Sequence, residues 1–358
     1  MKAAVKYLSA ILMILATIFL RHSIADDRKA PVIAPWYEGK PAAVSLRFDD
    51  SMESHVTHAI PRLNQYELKA TFMINPGTGR YMKNKDFWEK HVPAMGHQMG
   101  NHTMHHRGAK TPVEADFEIG EVSRLIWKLY PNKGRLLVFA SGGGGKKWGG
   151  KEWEHASEEY KSMVEKYKLI DLYDGSHPGF GVGSKRGYKE INARVQTAVQ
   201  KGEHVPIVFH SIGKPGWKER IASIYRGYDL ALPIEEFDQL VQLLGQMKDQ
   251  LWVAPLADVL KYETERNQSR VSLVSRNKGS IVVLLQVGTD PSLYDQELTI
   301  ILPVDPGMKA VSVSQGATQA IRFHNNDRKI LMNVAPVSGE ININLDKVPS
   351  KEYFRNVQ

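Results

Sequence analysis

The feature that most constrains the fold is a repeated alternation of short apolar runs and amphipathic stretches between residues 43 and 264. The predicted strands are Ala43–Phe48, Lys69–Ile74, His97–Asn101, Arg135–Phe139, Leu169–Tyr173, Val205–His210 and Leu251–Ala254. The main predicted helices are Ser54–Tyr66, Pro112–Leu129, Glu152–Tyr167, Glu190–Lys201 and Pro233–Gln250. Such alternation favours parallel strands joined by crossover helices. We therefore predict an α/β fold, a distorted (β/α)7 barrel with its functional loops after the strand ends.

The pattern changes after Tyr262. Residues 263–278 are polar and charged, with a predicted joint at residues 267–269, and no helix-length periodic segment follows. The strands predicted there are Ile281–Gln286, Leu298–Leu302, Ala310–Ser314, Ala317–Phe323, Ile330–Val334 and Glu340–Leu345. We expect a small all-β, sandwich-like C-terminal domain over residues 267–358, following a barrel domain over residues 26–266.

The first 25 residues are typical of a signal peptide. Two lysines precede an apolar stretch from residue 7 to residue 20, which is short for a membrane span. Ser23 and Ala25 place small residues at the −3 and −1 positions of a cleavage site after Ala25. An uncleaved anchor is the alternative, but the chain has no cysteine for a lipid anchor or for disulfides. We predict a periplasmic or extracellular protein without stable membrane insertion after cleavage.

Charge excludes one class of partner. The formal net charge is +8, and removing residues 1–25, with three basic residues and no acidic one, leaves 44 basic minus 39 acidic residues, or +5. No run of lysine and arginine resembles a nucleic-acid-binding arm. We expect no nucleic-acid partner, and only a weak preference for an acidic polymer.

Two adjacent carboxylates, Asp49 and Asp50, end the first predicted strand. Neighbouring carboxylates repel each other, and a bound cation is a common compensation. A solvated acidic turn is the alternative, and it would be preferred if the pair stood alone.

A histidine-rich segment, residues 96–106, changes that balance. His102 and His106 are four residues apart, which predicts one face of a helical turn and a shared metal. Neutral imidazoles suit zinc, and two of them with one carboxylate leave coordination positions open for water and substrate. We expect His97 and His105 not to be ligands, since one lies earlier on the strand and the other faces away.

A third element is His210, at the carboxyl end of an apolar run that begins at Val205. Active sites of barrels are built at this end of the strands. A buried structural histidine is the alternative for this residue taken alone.

Together these segments resemble the polysaccharide deacetylase family, also known as the NodB homology domain and carbohydrate esterase family 4. Its Thr/Ser-Phe-Asp-Asp motif is similar to residues 47–50, its His-Ser/Thr-x-x-His motif to residues 102–106, and its apolar strand ending in histidine to residues 207–210. Residues 251–262 resemble the closing strand and helix of several members. The resemblance covers about residues 43–265, which makes the region from 26 to 266 the expected catalytic domain.

The resemblance implies roles for individual residues. Asp49 would be the general base and His210 the general acid. The metal ligands would be Asp50, His102 and His106, with Thr103 fastening the loop between the histidines. The implied cofactor is a divalent metal, Zn²⁺ first, with Co²⁺ and Ni²⁺ as alternatives.

Two family motifs are incomplete. The Arg-Pro-Pro-Tyr motif should lie near Phe139, but residues 139–145 read Phe-Ala-Ser-Gly-Gly-Gly-Gly. We hypothesise that Arg47 replaces the missing positive charge, and that the glycines offer backbone donors to an oxyanion or form only a flexible loop. For the motif that orients the acid histidine, Asp171 and Asp174 are candidates, without a matching tryptophan nearby.

Loop tryptophans are candidates for stacking on sugar rings. Trp148 and Trp153 flank the glycine-rich loop, and Trp217 follows His210 by seven residues. Ordinary partial burial explains each of them equally well.

The function we expect is a metal-dependent hydrolase that removes N- or O-linked acetyl groups from a polysaccharide or oligosaccharide. One alternative is a glycan-binding protein on a deacetylase scaffold that has little or no turnover. Another is a metal-dependent hydrolase of small C–N amides. Acetylated glycan is the expected partner, while the oligomeric state, the metal and the sugar are not fixed by the sequence.

Overall fold

The computed structural model describes residues 30–142, 158–183, 185–214, 221, 230–316, 319–326 and 328–347. These residues form two compact units. The barrel unit contains residues 40–265 and 289–296. The β unit contains the described residues of 30–39, 266–288 and 297–347.

A curled parallel sheet forms the centre of the barrel unit. The first strand of the chain, β1 (Val32–Ile33), belongs to the β unit. The strands of the barrel sheet are β2 (Ala42–Phe48), β3 (Thr71–Ile74), β4 (Gln98–Asn101), β5 (Leu137–Phe139), β6 (Leu169–Asp171), β7 (Phe180–Gly181), β8 (His204–Phe209) and β9 (Leu251–Val253). The order is β6-β5-β4-β3-β2-β8-β7, and β9 also pairs with β2. Every pairing is parallel, which confirms the predicted distorted (β/α)7 barrel. The two-residue strand β7 is an addition to the seven predicted strands.

Helices connect these strands. They are α1 (Ile60–Gln65), α2 (Gly79–Lys83), α3 (Val92–Ala94), α4 (Pro112–Ala115), α5 (Glu121–Leu129), α6 (Glu158–Lys166), α7 (Tyr188–Lys201), α8 (Ile234–Gln246) and α9 (Leu256–Gln268). Three π-helical turns adjoin them, at His55–Ala59, Phe87–His91 and Asp116–Gly120. The start signal at Thr111 is confirmed, because its hydroxyl accepts the Glu114 N–H at 3.2 Å. Helix α2 and the helical segment that ends in α3 were not predicted.

Burial explains the parallel sheet. All seven residues of β2 are buried, as expected for a central strand covered on both faces. At its end, the ring of Phe48 stacks on those of Phe72 and Phe209, with centroids 5.0 and 4.8 Å apart. The carboxyl ends of β2, β3 and β8 therefore meet at one edge of the sheet, where the loops with Asp49 and His210 begin.

The β unit contains two antiparallel sheets. Its remaining strands are β10 (Ser269–Arg276), β11 (Ser280–Val287), β12 (Leu298–Pro303), β13 (Met308–Gln315), β14 (Gln319–Ala320), β15 (Phe323–Asn326), β16 (Lys329–Val334) and β17 (Gly339–Lys347). The sheet orders are β1-β12-β16-β15 and β10-β11-β17-β13-β14. Asn325 links the sheets, because its side chain bonds the Ala310 N–H and C=O at 2.8 and 2.9 Å. The predicted all-β architecture is confirmed, although β1 and β10 were not predicted.

The two units do not follow simple chain order. Residues 30–39, which the sequence analysis grouped with the barrel, lie in the β unit, where β1 pairs with β12. Residues 289–296, expected in the β domain, lie in the barrel unit, where Arg135 donates its N–H to Ser292 O at 2.9 Å. In the described part of the chain, no helix is both long and apolar enough to cross a membrane.

Candidate metal and catalytic site

Three predicted ligands meet at the carboxyl edge of the sheet. Asp50 Oδ1 lies 3.2 Å from His102 Nε2 and 2.9 Å from His106 Nε2, and one ligand atom from each residue lies within 4.8 Å of the others. Asp50 Oδ1 is buried, yet it accepts no hydrogen bond of good geometry from the described residues. Burial would raise the pKa of Asp50, but its contacts with His102 and His106 hold the pKa well below its usual range. An ionised carboxylate between two imidazoles fits a divalent cation.

The tautomer of His102 favours the same role. His102 is buried, and its Nδ1 lies 2.8 Å from the carbonyl oxygen of Ala140. Because a carbonyl only accepts, Nδ1 carries the proton and Nε2 presents its lone pair beside Asp50. His106 is 40% exposed, and its ring centroid lies 4.8 Å from that of His102. The cluster thus has one buried ligand and one on its open side.

The backbone differs from the prediction at this point. Residues 102–107 form a loop and not a helical turn, and both Thr103 (φ 67°) and His106 (φ 55°) are left-handed. Asp50 and Ser51 are also left-handed, so four of the seven non-glycine residues with positive φ in the described chain lie in the ligand loops. Such conformations are unfavourable and persist only where surrounding contacts impose them.

Asn75, which the sequence analysis missed, supplies several of those contacts. It directly follows β3 and is buried, and its Nδ2 donates to the carbonyl oxygens of His102 and Thr103. Its backbone N–H donates to Ser51 Oγ at 2.9 Å. Asn75 therefore joins the loop of Asp50 to the loop of His102. Its position after a strand end was the available signal.

Thr103 fastens the loop through its backbone. Its N–H donates to Asn101 Oδ1 at 2.9 Å, and its carbonyl accepts from Asn75 at 3.0 Å. Its hydroxyl oxygen is buried and has no hydrogen-bond partner among the described residues. The contacts that fasten this loop are therefore made by the backbone of Thr103 and not by its hydroxyl.

Asp49 directly precedes Asp50 of the candidate metal cluster and is paired with Arg47. Both side chains are buried, and Arg47 Nε and Nη2 donate to the two carboxylate oxygens at 2.7 and 2.6 Å. Burial raises the pKa of Asp49, but the charges of Arg47, His102 and His210, together with the hydrogen bonds from Arg47, hold the pKa below its usual value. Arg47 Nη2 also lies 3.4 Å from Tyr173 Oη, in a half-exposed tyrosine that the sequence analysis did not single out.

His210 directly follows β8, as predicted, but the described residues show no carboxylate bonded to its ring. Its Nδ1 is buried without a hydrogen-bond partner in the described chain. Asp171 Oδ1 accepts the Tyr173 N–H at 3.0 Å, while Asp174 caps an exposed turn at Ser176. Neither carboxylate orients His210 in the described structure. The buried His55 donates from Nε2 to the backbone carbonyl oxygen of His210, and burial lowers the pKa of His55 to about 4.

The other histidines of the segment are outside the cluster. His97 is buried, accepts the Ala70 N–H at Nδ1, and has its pKa lowered to about 4 by burial. His105 Nδ1 lies 2.7 Å from Glu118 Oε1. Of the glycine run, only Gly142 is described, and it packs against the loop of His106. Trp148, Trp153 and Trp217, and the predicted signal peptide, lie outside the described residues.

The fold and the cluster define a (β/α) barrel with a candidate metal site at the carboxyl ends of its strands. Residues 37–149 match the family model described as polysaccharide deacetylase. That segment includes Arg47, Asp49, Asp50, His102 and His106. The family model therefore confirms, over residues 37–149, the resemblance found in the sequence.

Comparisons with individual proteins give distant similarity. A curated gellan lyase from a Bacillus species is 21% identical over 336 residues, which are 87% of this chain and 13% of the relative. The catalytic domain of a peptidoglycan N-acetylglucosamine deacetylase from Eubacterium rectale is 15% identical, covers 62% of this chain and 91% of its own, and has a TM-score of 0.41. A CE4 family pseudoenzyme from Bacillus anthracis is 15% identical, covers 61% of this chain and 65% of its own, and has a TM-score of 0.37.

Proposed function

We propose that this chain is a metal-dependent hydrolase that removes acetyl groups from a polysaccharide or oligosaccharide. The observation that carries the proposal is the cluster of Asp50, His102 and His106 beside the buried pair of Asp49 and Arg47. One carboxylate and two imidazoles leave open coordination positions, which is the arrangement of a catalytic rather than a structural metal.

Three residues would hold the cation. Asp50 would contribute Oδ1, and His102 and His106 would contribute Nε2, the atoms that lie together. Zn²⁺ suits this mixture of nitrogen and oxygen ligands, and Co²⁺ or Ni²⁺ are alternatives. When bound, the cation would polarise the acetyl carbonyl and lower the pKa of a water.

Asp49 and His210 would move the protons. Because Arg47 keeps Asp49 ionised, its carboxylate is able to take a proton from the attacking water. His210 would give a proton to the departing amine or alcohol, from the end of the neighbouring strand. Water attack serves an amide and an ester equally, so the proposal includes N- and O-linked acetyl groups.

The polymer substrate and the location belong to the same proposal. An apolar segment with a predicted cleavage signal precedes the barrel. We propose export to the periplasm or the medium after cleavage near residue 25. The distant gellan lyase likeness supports a polysaccharide and does not define which one.

The test is acetate release by the full mature chain. Acetylated chitin fragments, peptidoglycan, xylan and acidic algal glycans would be incubated with protein supplied with Zn²⁺ or Co²⁺. We expect release from at least one of them, and a loss of about 10²-fold or more in rate with Asp49→Asn, because general-base catalysis contributes at least that much. Asp174→Asn, on an exposed turn, is the matched control and should leave the rate unchanged.

A glycan-binding protein without turnover is the second candidate. It is favoured by the absence of the Arg-Pro-Pro-Tyr motif and by the missing partner of His210 Nδ1 among the described residues. Glycan binding without acetate release on every substrate would support this candidate. Release by wild type and Asp49→Asn alike would reject the assigned base.

A further inference from the structure

A buried carboxylate lies behind the loop that carries His106. Glu118, in the turn Asp116–Gly120, has a relative exposure of 1%. Its Oε2 accepts the backbone N–H of His105 at 2.8 Å. Its Oε1 lies 2.7 Å from His105 Nδ1 and 3.1 Å from Arg107 Nε, and both nitrogens donate to it. The side chain therefore binds the residues directly before and after His106.

The backbone of Glu118 adds a fourth bond. Its carbonyl oxygen accepts the N–H of Met104 at 2.8 Å. Glu118 thus contacts three of the four nearest neighbours of His106, on both sides of it along the chain. His106 itself is left-handed and its side chain is 40% exposed, so its position depends on the loop around it.

We propose that Glu118 is a positioning residue for the metal site, fixing the loop of His106 so that Nε2 stays beside Asp50 Oδ1. This inference rests on the proposed metal-binding function. A left-handed ligand residue needs contacts that exclude other conformations, and an acceptor with several bonds to one short loop provides them. Outer contacts that fix metal ligands influence metal affinity as well as geometry.

The charge pattern fits this role. A carboxyl group that is almost fully buried requires charged or multiple hydrogen-bond partners. Glu118 finds them in Arg107 and in His105, whose side chains are 65% and 36% exposed and would otherwise be solvated. The ion pair thus draws the ends of the loop segment His105–Arg107 onto the turn of Glu118.

The experiment measures metal binding by the full mature chain, without an activity assay. Zn²⁺ affinity would be determined by competition with a chromophoric chelator, and the ligand field from the visible spectrum of the Co²⁺-loaded protein. Glu118→Ala should weaken Zn²⁺ binding about 10- to 100-fold and change the Co²⁺ bands. Glu118→Gln keeps the size and one acceptor, so its effect should be smaller and in the same direction.

Asp116→Asn is the matched control. Asp116 belongs to the same turn but pairs with Lys166 and Tyr167, away from the His106 loop. Its substitution should leave affinity and spectrum as in wild type. Should Glu118→Ala not fold, the double variant His105→Ala/Arg107→Ala removes the two bonds that loop side chains make to Glu118 and leaves the bond from the His105 N–H. It should also weaken binding and alter the spectrum.

The outcomes separate the two proposals. Absence of Zn²⁺ and Co²⁺ binding by the wild type would overturn the metal-dependent function and this inference with it. Tight binding by the wild type, with equal affinity and an unchanged spectrum in the folded Glu118 and loop variants, would overturn the role of Glu118 alone.

Discussion

At the scale of single residues, the negative charge of Asp49 is balanced by an arginine, Arg47, from the strand that precedes it. Arg47 and Asp49 are two apart on and just beyond β2, so they project to the same face. Their relative exposures are 4% and 2%, and both carboxylate oxygens are bonded. A second segment is therefore not needed to compensate Asp49, which gives a physical reason why residues 139–145 can lack an arginine.

Breaking this buried pair from one side should cost stability. Arg47→Met leaves Asp49 with a buried carboxylate and no counter-charge, so we expect a loss of about 3–5 kcal/mol in the free energy of unfolding. Urea denaturation followed by tryptophan fluorescence would measure it. The double variant Arg47→Met/Asp49→Asn also removes the unpaired buried carboxylate, and it should be more stable than Arg47→Met. If the loss of stability in the double variant equalled the sum of the losses in Arg47→Met and Asp49→Asn, the pairing would be contradicted.

The candidate metal ligands show what sequence spacing is able to predict. Asp50, His102 and His106 were chosen by residue type and spacing, and the structure brings them together. The helical turn expected for the two histidines is wrong, because a loop with left-handed residues brings the imidazoles equally close. That backbone depends on Asn75 and on other distant residues, and no local pattern in residues 102–106 encodes such contacts.

At the scale of elements, the loops after neighbouring strands support one another. Gly142, three residues beyond β5, lies against the loop after β4. A Cβ atom built on it would lie 2.7 Å from the Cα of His106 and 2.9 Å from Thr103 Oγ1. Since the first of these is a backbone atom, the contact is not relieved by a side-chain rotation. Only glycine allows residue 142 to lie this close to the loop of His106 without moving that loop.

Gly142→Ala should therefore weaken metal binding. Steric overlap in a packed region typically costs about 1–3 kcal/mol, which corresponds to about tenfold or more in affinity if the loop yields. Zn²⁺ competition titration would measure it. Gly181→Ala is the matched control, because its added Cβ would meet no atom within 4 Å. Equal Zn²⁺ affinity in the two variants would show that the loop of His106 accommodates the methyl group.

The strands of the barrel unit could be predicted from their own sequences. Each of the seven predicted strands overlaps an observed strand. Six of them contain an apolar run of their own, and residues 97–101 are the exception. Strands β1 and β10 were not predicted, because they are recognisable only by their pairing with β12 and β11. Val32 pairs with Ile301 and Ser269 with Val287, and neither segment is a long apolar run on its own.

At the scale of the whole molecule, the chain leaves the barrel unit and returns to it. Residues 289–296 lie within the barrel unit although β10 and β11 precede them. Inside that unit, the buried Lys261 donates to Asp295 at 2.7 Å, and Asp295 accepts the Gly134 N–H at 2.7 Å. Glu265 on α9 accepts the N–H of Gln296 at 3.1 Å. Polar bonds from α9 thus fix the returning segment, a connection that no sequence periodicity reveals.

Glu265 should make the stability of the barrel unit depend on pH. Burial raises its pKa to about 8, although the Gln296 N–H opposes the rise, and Oε2 is buried without a hydrogen-bond partner among the described residues. The folded protein therefore keeps a proton that an unfolded chain releases near its ordinary value of 4.5. Because the unfolded state binds fewer protons in this window, the free energy of unfolding falls as pH rises from about 4.5 to about 8, by up to about 1.4 kcal/mol per pH unit for this group. Glu265→Gln keeps an acceptor for the Gln296 N–H and removes the titrating group. Its free energy of unfolding, measured by urea denaturation, should therefore fall less steeply between pH 4.5 and about pH 8. Glu263→Gln, on the same helix, is the control and should follow the wild type. Parallel pH curves for wild type and Glu265→Gln would mean that Glu265 is already ionised in the folded state.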